Sequence, residues 1–171
     1  MEFIKKIAEI ITNILLILVV IAIFFALYGF FQLKILNKNY INYFGYTFFE
    51  VVSGSMSPTI NTYDLVIVKV NENVKNDDII TFYKDNTFIT HRIIDYKDDN
   101  NILTKGDANN TTDKEITKDM IIGKVVYTIK EFGIIKRVLV NSKVMISLFI
   151  TIILFSLAFS ITNKKEEKHE K

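Results

Sequence analysis

A chain of 171 residues holds one compact domain plus accessory segments, and its 50% hydrophobic content, with a mean hydropathy of +0.26, is gathered at the two ends. A formal charge of +2, with no basic patch interleaved with aromatics, excludes a nucleic-acid-binding field. The absence of cysteine excludes disulfides and thiolate metal sites, and neither of the two histidines has a liganding cluster beside it, so no metal or cofactor is expected.

From Ile10 to Leu33 no residue is charged. At about 1.5 Å per residue such a run crosses the roughly 30 Å hydrocarbon core as a helix. A cleaved leader would be shorter and would end in small residues, whereas this run continues through Tyr28, Phe30 and Phe31. Residues 1–36 are therefore expected to be a cytoplasmic N-terminus and a retained transmembrane helix at about 10–33. A second uncharged run, Val144 to Thr162, predicts another span at about 144–162 within a segment 142–171 that ends in a charged tail. Lys5 and Lys6 before the first run, and Lys164 and Lys165 after the second, put both tails inside by the positive-inside bias. The expectation is a two-span protein of the cell membrane, with residues 37–141 forming an extracytoplasmic domain.

That middle opens with Tyr40, Tyr43, Phe44, Tyr46, Phe48 and Phe49, which suit either the headgroup layer or the core face of a first strand. Strands are predicted at Phe48–Val52, Leu65–Val70, Ile79–Tyr83, Phe88–Tyr96, Ile102–Thr104 and Lys124–Ile129, with a hairpin tip at Asp98–Asn101. No long 3.6-residue period interrupts them, so the domain is expected to be all-β.

Three stretches carry chemistry. In Val51-Val52-Ser53-Gly54-Ser55-Met56-Ser57-Pro58-Thr59 an apolar strand enters a small turn, with Pro58, the sole proline, directing the exit. A serine there can present its hydroxyl beside backbone N–H donors, although on composition alone the stretch reads first as a plain turn. Thr90-His91-Arg92 lies in a strand-like segment; histidine is a side chain that can act as a general base around neutral pH, or His91 is a histidine packed in a sheet. His169 lies in the charged tail. Thr104-Lys105-Gly106-Asp107, followed by Asp113, supplies carboxylates that can orient an imidazole or merely stabilise turns.

In this order and spacing the three stretches resemble the serine, base and aspartate boxes of type I signal peptidases. The resemblance extends through Asp64-Leu65-Val66-Ile67-Val68 and, weakly, through Ile122–Tyr127 and Gly133–Ile135. It implies a mainly β fold: a signal-peptidase-type all-β catalytic domain flanked by an N-terminal and a C-terminal transmembrane helix. It implies Ser55 as nucleophile, Ser53 and the Ser55 N–H as the oxyanion hole, and Met56 and Pro58 at the substrate pocket. His91, standing where most bacterial relatives have lysine, points to the endoplasmic-reticulum and archaeal-type branch with a Ser/His site. Lys69 and Lys105 do not match the family's lysine position. Asp113 is preferred as the orienting acid and Asp107 as a supporting residue. Departures are Tyr63, where relatives usually have Gly before the Asp, and Ser57, where the His branch commonly has Glu. The implied activity is a serine endopeptidase that removes signal peptides from secretory precursors at the outer membrane face, with preproteins and the bilayer as partners. The alternative is a non-catalytic, membrane-anchored β-domain for binding or assembly. Self-cleaving repressor proteases share this type of β-fold, but they use Ser/Lys and lack membrane helices.

Overall fold

A computed structural model describes residues 2–147 and 150–151. Helix α1 spans Glu2–Phe30 and runs into a π-helical turn, Phe31–Ile35. Within the segment Ile10–Ile35 the most apolar window has a mean hydropathy of 3.1 and no buried residues, and among the described residues this segment alone is long and apolar enough to cross a membrane. It ends at a polar anchor. Buried Gln32 donates to the Asn42 carbonyl (2.9 Å) and accepts from the Asn42 N–H (3.0 Å). Both halves of an amide that would be costly to bury unpaired are thereby satisfied. Phe25 and Tyr28 add ring contacts to Tyr43 and Phe44. The aromatic run after the helix divides: Tyr40 and Phe49 pack against the core, whereas Phe44 and Phe48 stay exposed.

Seven strands form one antiparallel sheet: β1 (Tyr46–Glu50), β2 (Leu65–Val70), β3 (Ile79–Lys84), β4 (Thr87–Tyr96), β5 (Asn101–Lys105), β6 (Ile116–Thr117) and β7 (Ile121–Ile129). Their spatial order is β1-β2-β7-β3-β4-β5-β6. The last strand therefore inserts between the second and third and joins two halves of the sheet. One core cluster gathers Met56, Ile60, Val66, Val68 and Ile122. The other gathers Ile80, Phe82, Ile93, Ile102 and Ile116, with Ile121 packed against it. Adjacent residues of β7 thus serve both clusters, as a strand with side chains on alternate faces can. The turn at Asp98 forms as expected, its carboxylate accepting the N–H groups of Asn100 and Asn101.

The all-β expectation needs correcting at its end. Residues Phe132–Leu139 form helix α2. Eight residues are too few for a helical period to stand out from a short apolar run. The first strand also lies two residues nearer the N-terminus than predicted, because Val51 pairs with a loop: its N–H donates to the Asp64 carbonyl and its carbonyl accepts from the Tyr63 N–H, both at 2.8 Å. Residues 142–147 are helical, but most of the second predicted span and the charged tail with Lys164, Lys165 and His169 lie outside the described residues.

Asp64 binds these parts together. Its side chain is buried, accepting from the Asn61 N–H (2.8 Å) and from the Glu131 N–H (2.9 Å) at the start of α2. Tyr63 beside it adopts φ 75°, the left-handed region in which glycine is at ease, which accounts for a glycine there in relatives. Replacing Asp64 with Ala strands two backbone donors. The expected loss is about 2–4 kcal/mol in the chemical unfolding of the full chain in detergent.

Candidate active site

The serine turn is held by its neighbours on both sides. Met56 and Ile60 are fully buried, and the Ile60 N–H donates to the Met56 carbonyl at 2.9 Å. These two apolar plugs sink the far limb of the turn into the first core cluster. The near limb is tied to the aspartate turn, where the Ala108 N–H donates to the Ser55 carbonyl at 2.9 Å. That approach requires Gly106, since a Cβ there would stand 2.5 Å from the Ser55 carbonyl oxygen.

His91 projects from the middle of β4, opposite Ile80 of β3, and is almost fully buried, with the edge of Phe82 6.4 Å away between ring centres. Its Nε2 lies 3.1 Å from Ser55 Oγ and its Nδ1 lies 2.5 Å from Asp113 Oδ2. An ionised carboxylate can only accept, so the imidazole proton belongs on Nδ1 and the Nε2 lone pair faces the Ser55 hydroxyl. Ser55 then donates to His91, and the Ser53 hydroxyl, 3.2 Å away, donates to Ser55 Oγ.

The two carboxylates occupy separate environments. Asp113 Oδ2 also accepts from Thr104 Oγ1 (2.7 Å), and its N–H donates to the Thr104 carbonyl (2.8 Å). Lys84 Nζ donates to the carbonyls of Lys114 and Glu115, bracing the same segment. Asp107 instead receives Arg92 in a bidentate clasp, Nε to Oδ1 at 2.9 Å and Nη2 to Oδ2 at 2.7 Å, plus the Thr59 hydroxyl at 2.6 Å. Arg92 holds the Asp107 carboxyl below its ordinary range, against an opposing push from partial burial, and Thr59 assists.

Beside Ser55 a groove of about 670 Å³ runs between Phe49–Met56 on one side and Asn86–His91 on the other. Met56, Ser53, Ser55 and His91 line it; Pro58 is exposed and outside it, because the chain turns away after Met56. Among the described residues no lysine lines the groove, and Lys69 is paired with Glu72 at 2.8 Å. Among the described residues no cluster of metal-ligating side chains is present. The sequence reading assigned no part to Thr104, Thr59 or Lys84. Thr104 stood in the aspartate box, but a lone strand threonine carries no sign of which carboxylate it meets.

Residues 32–126, more than half of the chain, match the family model described as Peptidase S24-like. Over 83 residues the chain is 46% identical to a Bacillus subtilis (strain 168) protein named Signal peptidase I W. That stretch covers 44% of this chain and 44% of the relative, so the chain spans less than half the length of the curated relative it matches. Both matches support the resemblance to type I signal peptidases read from the three boxes.

The depressed Asp107 carboxyl has a signed consequence. A carboxyl lowered in the folded state adds stability that is complete above the ordinary carboxylate range, near pH 4, and is lost as pH falls through its lower folded value. Asp107→Asn is expected to cost about 2–3 kcal/mol at neutral pH, and the gap to the native chain should narrow as pH falls below the ordinary carboxylate range and through the lower folded value. Unfolding free energies measured across that range check both statements.

Proposed function

This chain belongs to the Peptidase S24-like family, and from that premise we propose that it is a membrane-anchored serine endopeptidase that removes signal peptides from secretory precursors. The observation that carries the reading is His91 lying between Ser55 and Asp113, at 3.1 and 2.5 Å. Three side chains from separate elements meet in the order nucleophile, base, acid, beside a groove of about 670 Å³.

In this mechanism His91 Nε2 takes the Ser55 proton as Oγ attacks the scissile carbonyl. Asp113 holds the imidazole in the tautomer that leaves Nε2 free and stabilises its charged form. The Ser55 N–H and the Ser53 hydroxyl hold the developing oxyanion, for which Ser53 turns from Ser55 Oγ to the new oxygen. His91 then protonates the departing amine, and water releases the acyl group. Asp107 supports the site from a distance by fixing Arg92, the neighbour of His91 on β4. The base is histidine, as in the endoplasmic-reticulum and archaeal-type branch, and a groove lining without lysine among the described residues supports that choice.

The substrate adds as a strand along β1, which stands at one edge of the sheet. Side chains of such a strand alternate in direction, so the residues one and three before the cut share a face. Met56 at the groove floor suits small residues there. Both tails lie in the cytoplasm, and the domain works at the outer face of the cell membrane, where a signal helix delivers its cut site. Tethering beside that helix raises the effective concentration of the two partners.

A non-catalytic, membrane-anchored β-domain would leave a buried histidine aimed at a serine without purpose, and the 3.1 Å contact favours the catalytic reading. Reconstituted full chain should cleave a preprotein. Ser55→Ala and His91→Ala should each lower the rate on the order of 10^4-fold or more, and Asp113→Asn by roughly 10^3–10^4-fold. Full activity in Ser55→Ala or His91→Ala sinks the assignment. Loss of cleavage in Asp107→Asn, with Asp113→Asn still active, reverses the roles of the acids.

A further inference from the structure

Helix α2 is turned the opposite way from a water-facing surface helix. Its polar and small positions contact the domain through their ends, although Lys136 and Arg137 themselves remain exposed. The Gly133 N–H donates to the Tyr63 carbonyl at 2.8 Å, Lys136 pairs with Glu50, and the Arg137 guanidinium lies over the Tyr63 ring, 4.8 Å from its centre. At 100° per residue the other face is formed by Ile134, Ile135 and Val138, which are 47%, 53% and 55% exposed. A surface helix bordering only water would bury its isoleucines against the domain, whereas here the whole apolar face is left open.

The chain states what lies against this face. The uncharged run Val144–Thr162 begins five residues after Leu139, a reach of at most about 18 Å. At the other end the domain is bonded through Gln32 to the apolar Ile10–Ile35 helix. Exposed Lys130 and Lys143 flank α2 at either end, as suits anionic headgroups. We infer that α2 is an interfacial helix, lying in the bilayer surface with Ile134, Ile135 and Val138 sunk between headgroups and acyl chains.

The seat has a function, which rests on the reading of Ser55 as nucleophile. Gly133 is bonded to the Tyr63 carbonyl, and the Tyr63 N–H to the Val51 carbonyl, four residues before Ser55. The Glu131 N–H reaches Asp64 in the same loop. Through these bonds α2 sets the height of Ser55 above the bilayer, and so where along an emerging precursor the cut falls.

The chain has no cysteine, so single cysteines at positions 134, 138 and 99 can each carry a fluorescent label uniquely. In vesicles of phosphatidylcholine with a minority of phosphatidylglycerol, doxyl-lipid quenching should be several-fold stronger for Ile134→Cys and Val138→Cys than for Asp99→Cys in the exposed β4–β5 turn. Equal quenching at the three positions overturns the seat. So does shielding of 134 and 138 in detergent that rises with protein concentration, since a second copy then covers the face. In the cleavage arm, Ile134→Asn with Val138→Asn should slow cleavage of a vesicle-embedded preprotein about tenfold and leave a short soluble peptide unaffected. Equal rates on the embedded preprotein overturn the height-setting role. A chain that cleaves neither substrate yet quenches at 134 and 138 refutes the peptidase reading and keeps the seat.

Discussion

The bond from the Ala108 N–H to the Ser55 carbonyl joins two turns that lie more than fifty residues apart in the chain. One turn bears the serine. The other leads from Asp107, clasped by Arg92, to Asp113 on His91. Because Gly106 lacks a side chain, the two backbones meet directly, and the side chains above them are spaced by main-chain geometry rather than by packing. The sheet order serves the same end. With β7 between β2 and β3, the half that carries Ser55 and the half that carries His91 share a strand, so neither can shift without the other.

Two aspartates six residues apart do different work because they face different partners. Asp107 meets a guanidinium, a permanent cation, and the pair behaves as a fixed brace near His91. Asp113 meets an imidazole, accepts from the Thr104 hydroxyl and donates its N–H to the carbonyl of the same, wholly buried residue. A brace must not titrate under working conditions, whereas in the proposed mechanism the partner of the base must tolerate a charge that comes and goes. Separating the two tasks lets each carboxylate keep one set of contacts.

Much of this was legible in the sequence, and the reasons are local. β2, β3 and β4 announced themselves through dense β-branched and aromatic runs bounded by Asn and Asp turns. Ser55, His91, Asp107 and Asp113 were legible as three ordered boxes, since chemistry restricts residue type as well as spacing. The pairing of acids to partners was not, because β4 and β5 place Arg92 opposite Lys105 only once the register is known. Helix α2 escaped because its eight residues are apolar on the outer side, a pattern that also fits a strand end. Two-residue β6 exists only as the partner of Asn101 and Ile102, with no propensity of its own to reveal it.

Tyr63 and Arg137 offset one another. Its left-handed backbone costs an L-residue on the order of 1–2 kcal/mol, and a cation over its ring returns about 0.5–1. Glycine at 63 removes the strain and the ring together, leaving Arg137 nothing to lie on. Positions 63 and 137 are therefore coupled in energy: a glycine at the first would leave the cation at the second with no ring to rest on.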